Sequence, residues 1–109
     1  MNEQILDALN YLDEEIRNDP NKISSFHLKA ELYFSLNQLD DVKGVIEQLT
    51  VRMNNRILAY YSTSRHFQFR KLFTESIYVV DLLLKELPTE TLLLNQKKEI
   101  EEILRSGCF

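Results

Sequence analysis

The sequence predicts an all-α fold of about six helices, and three observations support this prediction. Its 109 residues include 2 glycines and 2 prolines, fewer turn residues than an all-β fold requires. Apolar residues recur at steps of three and four along most of the chain, which is the period of an α-helix. A hydrophobic content of 44% with a net charge of -4 is typical of a folded chain, and we expect one domain over residues 1–109.

The first two helices are bounded by residues that end or cap helices. The first is predicted from about Glu3 to Asn18, because Pro20 disfavours the helical conformation in the residue before it. The second is expected to begin at Ser24 or Ser25, whose hydroxyls suit an N-cap, and to stop near Asn37. The apolar stripe of the first helix consists of Ile5, Leu6, Leu9, Leu12 and Ile16.

Four further helices follow. Asp40 and Asp41 open the third helix, where acidic side chains suit the positive end of the helix dipole. Pro88 stops the fifth helix. The predicted ranges are about Leu39 to Met53, about Asn55 to Lys71, about Phe73 to Leu87, and from Thr89 or Thr91 onward.

The chain also repeats itself at a spacing of 34 residues. Pro20 and Pro88 lie two such steps apart, and Asn54 lies midway between them. Apolar or small residues recur in the same register without insertions. The matching sets are Phe26 with Tyr60, Tyr33 with Phe67, Leu39 with Phe73, Leu49 with Leu83, Ala8 with Val42 and Ser76, and Leu12 with Ile46 and Val80.

A 34-residue period with two helices per repeat resembles the tetratricopeptide (TPR) repeat family. Phe26 and Tyr60 match the aromatic that opens the family's first helix, and Ala30 and Ser64 match its small residue. The chain departs from the family pattern where Lys29, Thr63, Glu15, Leu49 and Leu83 replace leucine or alanine. The resemblance implies a TPR-like array, in which two full helix pairs are flanked by single helices.

The resemblance further implies that a partner lies in a groove lined by the first helix of each pair. Carried over position by position, the partner-binding residues are His27, Phe34, Leu58, Tyr61, Arg65 and Phe69. The aromatic and aliphatic members would form an apolar floor for a peptide or helix, and Arg65 could bind a carboxylate. Alternatively, some of these aromatics pack in the core.

The residues predict no catalytic site. His27 and His66 lie on different predicted helices, and Cys108 is the penultimate residue, a poor position for a nucleophile that needs a fixed base. Two glycines cannot form a phosphate-binding loop. We therefore expect a non-enzymatic protein with no cofactor and no metal.

Charge indicates what kind of partner to expect. The segment between Glu47 and Glu75 has basic residues and no acid, but the pI near 5.2 argues against nucleic acid. The single cysteine, and the lack of a signal peptide or membrane span in the sequence, favour the cytoplasm without membrane contact. We expect a protein or peptide partner in a hetero-oligomer.

Three classes of function stay open. The first is a small cytosolic chaperone or adaptor, because the chain is similar in size and repeat count to the TPR-like chaperones of bacterial type III secretion. The second is an acidic immunity or inhibitor protein that blocks a basic toxin or nuclease by charge complementarity. The third is a structural subunit of a larger assembly.

Overall fold

In a computed structural model, residues 3–107 form six α-helices and no strand, which confirms the predicted all-α fold of about six helices. The helices are α1 (Glu3–Asn18), α2 (Ile23–Ser35), α3 (Leu39–Met53), α4 (Arg56–Phe69), α5 (Phe73–Leu84) and α6 (Thr91–Ser106). The chain divides into two compact units, Met1–Asn54 and Asn55–Phe109. The expectation of one domain stays a prediction.

Three helix boundaries differ from the prediction, and one of them is the end of α4, which lies at Phe69 and not at Lys71 because Lys71 has a positive φ. α2 begins at Ile23, and its N-cap is Lys22, which makes no side-chain cap hydrogen bond. Ser25 is not a cap because it is buried, and its hydroxyl donates to Glu15 Oε2 at 2.9 Å. α5 ends at Leu84, not at Leu87, since the last residues before Pro88 form a turn.

In the first unit, α2 packs on both α1 and α3. The core of the first unit is made of side chains from α1, α2 and α3. They are Leu9, Leu12, Phe26, Ala30, Val42, Val45, Ile46 and Leu49. An ion pair joins α1 to α2, with Lys29 Nζ 2.7 Å from Asp13 Oδ1. Within the apolar stripe of α1, Leu9 and Leu12 are the buried members, so the stripe is only partly buried.

In the second unit, α4, α5 and α6 contact one another in all three pairings. The buried apolar side chains are Ala59, Tyr60, Phe67, Val79, Val80, Leu83, Leu93 and Ile100. Ser64 on α4 and Ser76 on α5 are also fully buried, with their hydroxyl oxygens 2.8 Å apart. Lys97 Nζ on α6 lies 2.9 Å from Asp81 Oδ1 on α5.

The 34-residue register is present in the turn of each helix pair. Asn37 and Lys71, one step apart, both have a positive φ, of 56° and 62°. The Asn37 N–H donates to the carbonyl of Phe34 at 2.9 Å, and Lys71 N–H donates to the carbonyl of Gln68 at 2.9 Å. The next N–H in each turn donates five residues back, again at 2.9 Å. This pattern is a Schellman motif, so the two turns share one backbone conformation.

The same register relates the ion pairs of the two units. Asp13 and Asp81 are two steps of 34 apart, and so are their partners Lys29 and Lys97. Equivalent side chains thus form the ion pair between α1 and α2 and the ion pair between α5 and α6. This equivalence agrees with the predicted order of helices, whereas membership of the TPR family stays a prediction.

Candidate protein-binding site

Four of the six predicted binding residues lie on one face of α4. Leu58, Tyr61, Arg65 and Phe69 follow one another at steps of three and four residues, so their side chains share a helix face. We call these four residues the α4 face. The opposite side of the helix carries Tyr60, which is fully buried. The two neighbouring tyrosines therefore belong to different environments, because Tyr61 is only half-buried.

The two ends of the α4 face are exposed to solvent. Phe69 is 77% exposed and Leu58 is 41% exposed. Tyr61 and Arg65, between them, are half-buried because α6 lies alongside. Leu58 and Phe69 thus expose apolar surface on the same helix face as Tyr61, and exposed apolar side chains that share a face favour a contact with another molecule.

A narrow cleft separates α4 from α6. Its volume is about 110 Å³, and Tyr61 and Arg65 line it from the α4 side. The α6 residues that line it are Leu92, Asn95, Gln96 and Glu99. None of these four was predicted as a binding residue. Leu92, Asn95 and Glu99 each lie 34 residues after a member of the α4 face, so one further step of the register would have identified them.

Arg65 is held by its own chain. Its Nη1 lies 3.1 Å from Glu99 Oε2, and Gln68 Nε2 donates to the same oxygen at 2.8 Å. The guanidinium carbon lies 5.1 Å from the centre of the Phe69 ring, a cation–π distance. The arginine predicted to bind a partner's carboxylate thus already binds Glu99 and also orients Phe69.

The floor of the cleft is polar and buried. Gln96 Nε2 donates to Ser64 Oγ at 3.2 Å and to Gln68 Oε1 at 2.9 Å. Ser64 in turn bonds to Ser76 on α5. A hydrogen-bonded chain therefore runs from α5 through α4 to α6 and fixes the two walls of the cleft.

The two remaining predicted residues lie in the first unit. His27 and Phe34 are both on α2, seven residues apart and so on one helix face, and both are half-buried. The structure thus brings Tyr61 and Arg65 together in the cleft and places Leu58 and Phe69 at its ends. It describes His27 and Phe34 in a separate unit.

The acidic side chains of α1 have different surroundings. Asp13 pairs with Lys29, whereas Asp7 and Glu14 are exposed. Hydrogen bonds from Tyr11, Ser25 and Lys22 lower the pKa of Glu15, and the bond between Tyr11 and Glu15 raises the pKa of Tyr11. The bond network is local to α1 and the start of α2.

The described residues hold no metal cluster and no membrane span. Within residues 3–107, no group of three His, Cys, Asp or Glu side chains could hold a metal ion. None of the helices in this range is both long and apolar enough to cross a membrane. Cys108 lies outside the described residues. The expected absence of catalysis stays a prediction.

Known proteins add no assignment. No family model, no curated protein and no solved structure matches this chain. The resemblance to the TPR family therefore rests on the 34-residue register, and membership of the family stays a prediction.

Proposed function

We propose that the chain is a non-enzymatic protein-binding module of the chaperone or adaptor kind, which holds a partner segment against the α4 face. The observation that carries this proposal is the 77% exposure of Phe69 on the same helix face as Leu58 and Tyr61. Exposed apolar side chains grouped on one face mark interaction surfaces more often than single ones do.

The repeat register supports the same surface. The two equivalent turns and the two equivalent Asp–Lys pairs support a TPR-like arrangement, in which α4 opens a helix pair and the single helix α6 occupies the equivalent position one repeat later. The resemblance implies that a partner contacts these first helices. The register places Leu58, Tyr61 and Arg65 in line with Leu92, Asn95 and Glu99.

The size of the cleft favours a peptide or helix over a small molecule. Sites for small ligands usually enclose roughly 300–1,000 Å³, whereas the cleft beside Tyr61 measures about 110 Å³. That volume accommodates one side chain. The partner would therefore insert a side chain beside Tyr61 and cover Phe69 with the rest of its surface.

The test compares two equally exposed apolar residues in a complex with the purified natural partner. Phe69→Glu and Tyr61→Glu should each weaken binding at least tenfold, measured by isothermal titration calorimetry. Val51→Glu is the matched control for Phe69→Glu, because Val51 on α3 is 76% exposed and lies off the α4 face. It should leave the affinity unchanged. Equal affinities for all three variants would refute the proposal.

An acidic inhibitor is the second candidate, because Asp7 and Glu14 are exposed on α1. Such a protein would bind a basic toxin or nuclease through charge, and its affinity would fall steeply with added salt. A structural subunit is the third candidate and has no observation of its own in its favour.

A further inference from the structure

One face of α1 is exposed at positions that are buried on the equivalent helices. The register aligns Tyr11 of α1 with Val45 of α3 and Val79 of α5. Val45 is 4% exposed and Val79 is fully buried, whereas Tyr11 is 63% exposed. The flanking positions follow the same trend, since Leu49 and Leu83 are buried and their equivalent, Glu15, is half-buried.

The register also indicates what kind of element would cover this face. α3 and α5 each pack on the helix that precedes them, α2 and α4. α1 packs on α2, which follows it, and the contact uses Leu12 and Asp13. Within the first unit, α2 and α3 leave Tyr11 63% exposed. By analogy with α3 and α5, the exposed face of α1 is the one on which the first helix of a pair would pack.

Space for a further side chain exists beside this face. A cavity of about 360 Å³ opens at the end of α1. Its lining residues are Tyr11, Glu14, Glu15, Asn18, Asp19 and Lys22. We define the α1 face as Ala8, Tyr11 and Glu15.

The charge around the α1 face is negative and mostly uncompensated. Glu15 is matched by Lys22 Nζ at 3.3 Å. Asp7 and Asp19 are exposed, and the contact of Glu14 with Arg17 is long, at 3.7 Å, and exposed. Exposed pairs at that distance contribute little, so the rim of the α1 face keeps its negative field. The α1 helix of a second copy would present acids to these acids, whereas a basic helix would match the negative field.

We propose that the α1 face binds an amphipathic helix with basic flanks from another protein, which packs on α1 as α2 packs on α3. The apolar side of that helix would cover Tyr11 and Ala8. Its basic residues would lie against Asp7, Glu14 and Asp19. This surface is separate from the α4 face and goes beyond the function proposed above.

The last helix, α6, carries charged residues at the positions that a covering helix would contact. The position of α6 equivalent to the buried Ala30 and Ser64 holds Lys98, and the position equivalent to Tyr33 and Phe67 holds Glu101. Both charged residues are exposed. These positions of α6 are therefore already solvated by charged side chains, whereas the α1 face exposes the aromatic ring of Tyr11.

The probe for this proposal is a fluorescein-labelled peptide of residues 55–71 of this chain. It contains Arg56, Arg65, Arg70 and Lys71 and no acid, and its sequence forms the first helix of a pair. Binding to the full chain is measured by fluorescence anisotropy. We expect saturable binding that Tyr11→Ala weakens at least tenfold and that Glu14→Lys also weakens.

Three controls show whether the peptide binds at the α1 face. Asn10→Ala alters the exposed neighbour of Tyr11 and should leave the affinity unchanged. A peptide with its four basic residues changed to glutamate should not bind. Phe69→Glu in the full chain should not change the affinity for the peptide. The proposal for the α1 face is therefore tested independently of the proposal that a partner binds the α4 face.

Three results would overturn the proposal. The first is no binding of the basic peptide to the unaltered chain. The second is equal binding to Tyr11→Ala, which would indicate that the peptide displaces the chain's own α4. The third is a dimer in sedimentation velocity that Tyr11→Ala dissociates, because the occupant would then be a second copy.

Discussion

At the scale of single residues, the clearest difference between the two helix pairs is at two buried positions. Ala30 and Val42 in the first unit are replaced, one repeat later, by Ser64 and Ser76 in the second. Each serine hydroxyl donates to the other residue's carbonyl oxygen, at 2.9 Å and 2.7 Å. The register predicted small residues at these positions, but the hydrogen bonds depend on both serines meeting across the helix contact.

Removing one of these serines should cost more than removing a surface serine. Ser76→Ala leaves buried polar groups on Ser64 with one partner fewer, which costs about 1–3 kcal/mol of unfolding free energy. The double change Ser64→Ala with Ser76→Ala should cost less than the sum of the two single changes, since both partners leave together. Urea denaturation measures these values. Ser35→Ala, at an exposed serine, is the control, and an equal loss there would contradict the prediction.

Glu15 makes stability depend on pH in a defined direction. Its pKa in the folded chain lies below the ordinary value of 4.5, because Tyr11, Ser25 and Lys22 all stabilise the carboxylate. The carboxylate therefore adds stability above the pKa of the unfolded chain, and that stability is lost as the pH falls through the folded pKa.

The test of this dependence is a series of melting temperatures between about pH 7 and about pH 3, the range in which a carboxyl group titrates. Glu15→Gln should lower the melting temperature at neutral pH, and its curve should converge with that of the unaltered chain on acidification. Glu14→Gln should change little at neutral pH, because the ion pair of Glu14 with Arg17 is long and exposed. Parallel curves for the chain with and without Glu15 would contradict the interpretation.

At the scale of elements, the sequence predicted some helix ends well and others poorly. α1 and α3 have the predicted bounds, since proline and a left-handed asparagine end them by local effects. The predicted start of α2 was wrong because Ser25 is required for a tertiary contact with Glu15. The predicted end of α5 was wrong because its apolar residues continue into a turn, and periodicity alone does not show where a helix stops.

The candidate binding surface was likewise predicted in part from the sequence and missed in part. The members of the α4 face follow from the register of a single helix, which the sequence contains. The cleft depends on α6 packing beside α4, a tertiary contact that the pattern of a single helix does not show. Glu99 was consequently overlooked, although it binds Arg65 and limits what that arginine offers a partner.

The shared turn allows a prediction about an element. Lys71 has φ of 62°, a conformation that costs residues with a Cβ energy that glycine does not incur. Lys71→Gly should therefore raise the free energy of unfolding by about 1 kcal/mol. Asn37→Gly should gain less, because asparagine tolerates this region better. Lys85→Gly, where φ is -60°, is the control and should destabilise the chain in urea denaturation. A loss on Lys71→Gly would contradict the argument.

At the scale of the whole molecule, charge is distributed unevenly between the two surfaces. The net charge is -4, yet residues 1–20 contain six acids and one arginine, and the stretch from Gln48 to Thr74 contains no acid. The α4 face combines Leu58, Tyr61 and Phe69 with an arginine that is already paired. The α1 face is bordered by uncompensated carboxylates. Two surfaces of different chemistry should respond differently to salt.

This salt response separates a chaperone or adaptor from an acidic inhibitor. A partner on the α4 face is held mainly by apolar contact, whereas salt screens exposed charges over roughly 8–10 Å. Its affinity should therefore fall only a few-fold as the salt concentration rises from about 0.05 M to about 0.5 M. A partner held by Asp7, Glu14 and Asp19 should lose affinity by orders of magnitude over the same range. Titration calorimetry of the natural complex, with Phe69→Glu and Glu14→Lys as paired variants, makes the distinction. The affinity could depend steeply on salt, and Glu14→Lys could remove this dependence while Phe69→Glu leaves it unchanged. That result would assign the main partner to α1 and favour the inhibitor.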